Sequence, residues 1–280
     1  GIAVTPDGSR VLVAHGSAGY LAVLDPASNT RLPDIASSLS GVGLAINPGG
    51  TRAYMAINNG SAVQVFDLVT NTAIATTTLS NRSFGVAVSP DGARAYIVQN
   101  QAGRVAILNS SSNSYSNFFN VPGQPIGVAV SPATGHVYTT TGSGNSLAVY
   151  NPTTFNVTTV PVGTAPYGAA VTHAGDRIYV TNSGSNTVSV IDATVNVVIA
   201  TIPVGSFNPP LSNGGIAISQ YSATCMPGGF VAGGTASPLV VSGLANGTAY
   251  SCSVTATNVR GIGLASAPVT VTPGTGSFIT

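Results

Sequence analysis

The side chains able to do acid, base or metal chemistry are few, and most of them fall into register with one another. Eight arginines, seven aspartates and three histidines carry all the charge and proton-transfer capacity, with no lysine and no glutamate among 280 residues. Arg10, Arg52, Arg94 and Arg177 share one recurring position, where the fourth copy has His136; Asp25, Asp67 and Asp192 share another, where the remaining copies have Asn109 and Asn151. Residues that return once per period read as fasteners of a repeated turn or of neighbouring units rather than as catalysts. Asp7 and Asp91 belong to Pro-Asp-Gly turns, in which Asp bonds nearby backbone. Arg31, Asp34, Arg82, Arg104, Asp176 and Arg260 remain outside the pattern.

That remainder does not assemble into a general acid and base. His15 and His173 stand apart from any patterned Ser or Cys nucleophile. The 34 glycines sit in turns and strand starts rather than in a phosphate-binding loop. Cys225 and Cys252 have no adjacent His to complete a metal ligand set. The reading is of a protein that is not an enzyme, with no catalytic residue, cofactor or metal.

The register comes from a repeat. Pro6, Pro48, Pro90 and Pro132 are spaced by 42, and His173 takes the position 41 residues later. Each copy runs from an apolar segment such as Gly85-Val86-Ala87-Val88 into the turn Ser89-Pro90-Asp91-Gly92, then into a second strand, Ala95-Tyr96-Ile97-Val98. A third strand ends on an acid or amide, as in Ser189-Val190-Ile191-Asp192, and a fourth follows an Asn-rich turn. Four short antiparallel strands in about 40 residues describe a β-propeller blade, whereas a parallel β-helix has much shorter rungs. Tyr54, Tyr96, Tyr138 and Tyr179, with Leu12 in the first copy, recur on the second strand and so predict packing between adjacent blades rather than a sugar-stacking ladder.

The fifth copy spells Tyr179-Val180-Thr181-Asn182, after Pro166-Tyr167-Gly168-Ala169-Ala170-Val171 and before Ser185-Asn186-Thr187-Val188-Ser189-Val190-Ile191-Asp192. At these residues the chain resembles the YVTN β-propeller family, whose repeats occur in bacterial and archaeal surface-layer and secreted proteins. The resemblance covers residues 1–205 and implies fold far more than activity. Propellers of that family commonly close with seven blades, whereas five copies are present here, beginning at Gly1 inside a first strand. The expectation is a five-bladed ring, or a ring that draws on blades outside these residues. No signal peptide is visible, as in a processed or excerpted product.

Beyond Gly205 the repeat ends. Tyr221-Ser222-Ala223-Thr224-Cys225, Pro238-Leu239-Val240-Val241-Ser242-Gly243-Leu244 and Gly247-Thr248-Ala249-Tyr250-Ser251-Cys252-Ser253-Val254 resemble a fibronectin type III domain, with Tyr250 two residues before Cys252 as in a tyrosine corner. Such a sandwich needs roughly 100 residues, and residues 207–273 number 67, so the first strands are expected to be missing. By the same resemblance the two cysteines lie on neighbouring strands. An even count in a secreted setting favours a disulfide, closing 27 residues for about 3.5 kcal/mol in the chain-entropy account; two buried reduced thiols are the alternative.

The predicted architecture is therefore all-β: a five-repeat propeller of four-stranded antiparallel blades over 1–205, a partial fibronectin type III-like sandwich over 206–273, and a tail over 274–280. An open sandwich edge invites strand addition. Phe278 and Ile279 make the tail a donor, and Phe207 marks the gap it would fill. Packing of the last blade on that edge, or a lost segment, are the competing readings.

Charged residues make up 5% of the chain against a typical ~25%. Net charge is +1, and hydrophobic residues make up 44%. That balance leaves no electrostatic footprint for nucleic acid or an anionic membrane, and no apolar run reaches the ~20 residues of a spanning helix. Three functions are expected in order. The first is an extracellular structural protein of the cell surface whose partners are copies of itself. The second is a module whose loops bind cell-surface glycan or protein. The third is an enzyme resembling propeller lactonases or lyases.

Overall fold

In the computed structural model, which describes residues 1–16, 19–58, 60–204, 217–236 and 239–273, every copy of the repeat is a four-stranded antiparallel sheet in sequential order. The first sheet holds β1 (Ile2–Val4), β2 (Val11–Ala14), β3 (Tyr20–Asp25) and β4 (Thr30–Ala36). The second holds β5 (Gly43–Ile46), β6 (Arg52–Ile57), β7 (Ala62–Asp67) and β8 (Thr72–Thr78), and the third β9 (Ser83–Val88), β10 (Arg94–Gln99), β11 (Arg104–Asn109) and β12 (Ser114–Asn120). The fourth holds β13 (Pro125–Val130), β14 (Val137–Thr141), β15 (Ser146–Tyr150) and β16 (Val157–Pro161). The fifth holds β17 (Pro166–Val171), β18 (Arg177–Asn182), β19 (Thr187–Asp192) and β20 (Val197–Pro203).

Turn chemistry sets these boundaries. The turn after each first strand has a glycine at positive φ: Gly8, Gly50, Gly92, Gly135 and Gly175. The turn after each third strand has a left-handed residue, Asn29, Asn71, Asn113 and Asn196, with Phe155 in the fourth copy. Asn tolerates that region better than other side chains because its short amide bonds local backbone.

Cross-strand partners stand on the same face of a sheet, so the registers show which residues each sheet offers to its neighbours. One face of the first sheet, with Ala3, Leu12, Ala14, Leu21 and Val23, packs on Leu44, Ile46, Ala53, Met55 and Phe66 of the second. The second sheet's other face, with Ala45, Tyr54, Ala56, Val63 and Val65, packs on Val86, Val88, Ala95, Ile97, Ala106 and Leu108 of the third. The third then offers Tyr96, Val98, Val105 and Ile107 to Val128, Val137, Ala148 and Tyr150 of the fourth, where Phe119 stacks on Tyr150 with centroids 4.0 Å apart. The first strands of successive sheets follow suit, β1 beside β5, β5 beside β9, β9 beside β13 and β13 beside β17. No comparable packing joins β1 to β17 among the described residues.

Two compact units divide the chain, Gly1–Ser185 with Ile191–Val197, and Asn186–Val190 with Val198–Thr280, and the division passes through the fifth sheet. In the second unit β21 (Gln220–Met226) lies between β22 (Phe230–Gly234) and β23 (Tyr250–Asn258), and β23 also pairs with β24 (Gly261–Ile262) and β25 (Val269–Val271). The described strands there form one sheet, and the second layer that a sandwich requires is not among them. Phe207 and the tail with Phe278 and Ile279 lie outside the described residues.

Candidate functional site

Every aspartate is engaged close to home. Asp25 accepts from the Ala27 N–H at 2.8 Å, Asp67 from Val69 at 2.8 Å and Thr70 at 2.9 Å, and Asp192 from Thr194 at 2.9 Å. Asn109 and Asn151 make the same bonds to Ser111 and Thr153, so this turn needs an oxygen acceptor and not a charge. Asp7 and Asp91 accept from the N–H groups of Ser9 and Ala93 in their own turns, Asp176 from the Thr172 hydroxyl at 2.7 Å, and Asp34 from Arg31 at 2.7 Å. Hydrogen bonds to the ionised form hold Asp7, Asp25, Asp67, Asp91, Asp176 and Asp192 low. Asp7 falls to about 2 through Thr5 and Ser9, while Asp25, Asp67, Asp91, Asp176 and Asp192 are lowered chiefly by Ser28, the Thr70 N–H, Ser89, Thr172 and Thr194 respectively.

Two of the recurring arginines, Arg10 and Arg52, reach from sheet to sheet. Arg10 donates to the Leu68 carbonyl at 2.9 Å and the Asn71 side chain at 3.0 Å, in the β7–β8 turn of the next sheet. Arg52 donates to the Ser110 carbonyl and, at 3.3 Å, to Asn113, the corresponding atoms of the β11–β12 turn. Arg94 acts on the buried Tyr96 hydroxyl, which burial pushes up and the guanidinium partly pulls back. Arg177 instead turns to its own sheet, to Asp192 at 3.3 Å and the Asp176 carbonyl at 3.0 Å.

The tyrosines divide in the same way. Tyr54, Tyr96 and Tyr138 are buried, whereas Tyr179 is 40% exposed and Thr181 beside it is also exposed. On β6, β10 and β14 nearly every side chain is buried, so those strands are covered on both faces; on β18 buried and exposed residues alternate. At the other end, Ile2 and Val4 are 68% and 55% exposed. Their partners Val13 and Val11 are half-buried, and Leu24, across from Val11, is 36% exposed. Sequence reasoning missed this pair of open faces. The signal was that Ile2, Val4, Val11, Val13 and Leu24 repeat the apolar pattern of Leu44, Ile46, Ala53, Met55 and Phe66, but periodicity does not say which faces are covered.

Two smaller observations mark the same boundary. A Cβ on Gly127 would stand 2.6 Å from the Tyr167 carbonyl oxygen of the next sheet, and one on Gly43 would collide with that of Phe84; at Gly168 the described residues offer only Thr181 Oγ1 of its own sheet, at 3.3 Å. Thr140 accepts from the Gly127 N–H at 2.9 Å and donates to the Tyr167 carbonyl at 2.8 Å. Thr181 accepts from the Gly168 N–H and, among the described residues, donates back to the Gly168 carbonyl at 3.4 Å.

In the second unit Cys225 and Cys252 are register partners and form a disulfide. Tyr250 is buried, accepts from the Ala245 N–H through its hydroxyl at 2.9 Å, and meets Phe230 edge-on at 5.7 Å. Among the described residues no three His, Cys, Asp or Glu side chains group closely enough to hold a metal ion, and no helix is long and apolar enough to cross a membrane. His15 lies against Tyr20 at 4.9 Å, and His173 is exposed.

No protein-family model matches the chain, and no curated protein does. Among solved structures it is similar to that of U3-55K, with 13% identity and a TM-score of 0.66 over 92% of this chain and 76% of that one. It is also similar to a functionally unknown protein from Desulfotomaculum acetoxidans DSM 771, with 12% identity and a TM-score of 0.65 over 95% of this chain and 99% of that one. At such identities the likeness is one of fold alone. It agrees with an all-β, propeller-like chain built of repeated four-stranded antiparallel sheets.

Proposed function

We propose that the protein is an extracellular structural subunit of the cell surface, part of a surface layer, sheath or filament, whose main partner is itself. The observation that carries this reading is the employment of the charged side chains. All seven aspartates accept local hydrogen bonds or ion pairs, and Arg10, Arg52 and Arg177 are tied into turns. The carboxylates of Asp7, Asp25, Asp67, Asp91, Asp176 and Asp192 are held low, which makes them poor general acids near neutral pH. What they do well is brace turns. A surface with little charge of either sign also lets copies approach without like-charge repulsion. The disulfide fits an oxidising compartment.

The finer assignment of the repeats to the YVTN type, and of the second unit to a partial fibronectin type III domain, is part of the proposal. The Tyr250 hydroxyl bond to backbone five residues upstream supports the latter. In this reading the tail, with Phe278 and Ile279, can add as a strand to an edge of the second unit's sheet in a neighbouring chain.

Light scattering and negative-stain electron microscopy over a concentration series test the assembly. Ordered filaments or sheets that grow with concentration are expected. A monodisperse monomer throughout would overturn the reading, and turnover in a screen for metal-dependent hydrolysis would favour an enzyme in its place.

A further inference from the structure

Two residues of the third copy break the repeat together. Gln99 and Arg104 pair across β10 and β11, where the second sheet has Ile57 with Ala62 and the fourth has Thr141 with Ser146. The Gln99 side chain is fully buried, and burying an amide is costly unless its hydrogen bonds are made. Here they are. Its Oε1 accepts from Arg104 Nε at 2.8 Å, and its Nε2 donates to the Asn81 carbonyl at 3.1 Å. Arg104 also donates through Nη2 to the Ser80 hydroxyl and lies over the exposed Phe118 ring, 4.5 Å from its centroid. Gln99, Ser80 and Phe118 thus fix the guanidinium, while its Nη1 has no partner among the described residues.

Neither Arg104 nor its neighbour Arg82 has a counter-ion. The ion pairs among the described residues join Arg31 to Asp34, and Arg177 to Asp176 and Asp192. Asp7, Asp91 and Asp176 sit in turns after first strands, and Asp25, Asp67 and Asp192 close third strands. In an antiparallel sheet of sequential order both places are at one end; Arg104, which begins β11, and Arg82, just before β9, are at the other. Arg82 is exposed and stands where the second and fourth copies have Ser40 and Gln124. An oriented guanidinium with spare N–H groups and no carboxylate of its own suits an oxyanion.

We propose that Arg104 and Arg82 bind an oxyanion carried by a polysaccharide, a carboxylate or a sulfate ester. Arg104 is the fixed fork and Arg82 a second cation beside it, with Gln99 and Ser80 as positioning residues. The polymer is argued from the surroundings. Ser80, Asn81 and Gln101 flank the two arginines with hydroxyl and amide groups that match sugar hydroxyls. A nucleic acid or an anionic bilayer needs a broad basic field, and Arg10, Arg52, Arg31 and Arg177 are committed to carbonyls or aspartates. The proposal rests on the cell-surface reading above for the presence of such a polymer, and adds a second partner to self-assembly.

Calorimetric titration of the full chain with polygalacturonate, dextran sulfate and neutral dextran tests it. At least one acidic polymer should bind, more weakly as salt is raised, and dextran should not; which acidic polymer binds separates carboxylate from sulfate. Arg82→Ala, at an exposed position, should match the parent by circular dichroism and weaken binding about tenfold or more. Arg104→Lys keeps the charge without the planar fork and should lose as much. Arg260→Ala removes an exposed arginine of the second unit and should leave the affinity unchanged. Equal losses in Arg82→Ala and Arg260→Ala, or equal binding of neutral dextran, would overturn the site. Inorganic sulfate or phosphate binding as tightly as the polymers would overturn the polysaccharide as its ligand. If the parent binds neither acidic polymer, this inference is overturned and the assembly reading is untouched, because scattering measures assembly separately.

Discussion

The second, third and fourth sheets and the two outlying sheets are built from similar residues at matching positions, yet their environments differ. Tyr96 is buried beneath a neighbour and Tyr179 is not; Arg52 spans to the next sheet and Arg177 folds back onto Asp192; Gly127 lies under a foreign carbonyl and Gly168 under its own threonine. The lesson is that a repeat encodes an interface in halves. A less covered half keeps its local fold, because strand register and turn bonds are internal to each sheet, and differs only in burial.

The largest expected difference lies in the tyrosines. Tyr96→Ala empties a site covered from both sides and should cost about 3–5 kcal/mol, whereas Tyr179→Ala in the monomer should cost about 1 kcal/mol or less. Urea unfolding of both variants measures the gap, and equal losses would mean that the fifth sheet is covered after all.

A smaller effect should separate the glycines. Gly127→Ala puts a methyl group into the Tyr167 carbonyl and should destabilise by about 1–3 kcal/mol. Gly168→Ala meets only a hydroxyl at 3.3 Å and should stay within about 0.5 kcal/mol of the parent. Thermal midpoints of the two variants, side by side, sharpen the comparison.

The smallest effect should not distinguish inner from terminal sheets at all. Asp25, Asp67 and Asp192 have folded pKa values below the ordinary 3.8. Their contribution is therefore fully present above the unfolded value and is lost as pH falls through the folded one. Asparagine already fills this turn in the third and fourth sheets. Replacing all three aspartates by Asn should flatten the stability profile below pH ~4 and leave neutral stability nearly unchanged. Stability measured from pH 2 to 7 checks this, and a profile as steep as the parent's would place the acid sensitivity elsewhere.

Much of the fold was legible because its causes are local. A Pro-Asp-Gly turn, an Asn at left-handed φ and an alternating strand act over a few residues, so a 42-residue spacing of turns fixes four strands per copy wherever the copy stands. The facing of Cys225 and Cys252 followed only from a resemblance, since spacing alone does not set register; the pairing of β21 with β23 does.

By itself, then, the sequence determined the all-β class, the number of repeats, the turns and the scarcity of free acids and bases, because each depends on residue type at short range. Only the tertiary structure decided which faces are covered. Leu24 and Phe66, or Tyr179 and Tyr96, are the same letter in the repeat's grammar; burial belongs to the neighbour, and the neighbour is set by how successive sheets stack.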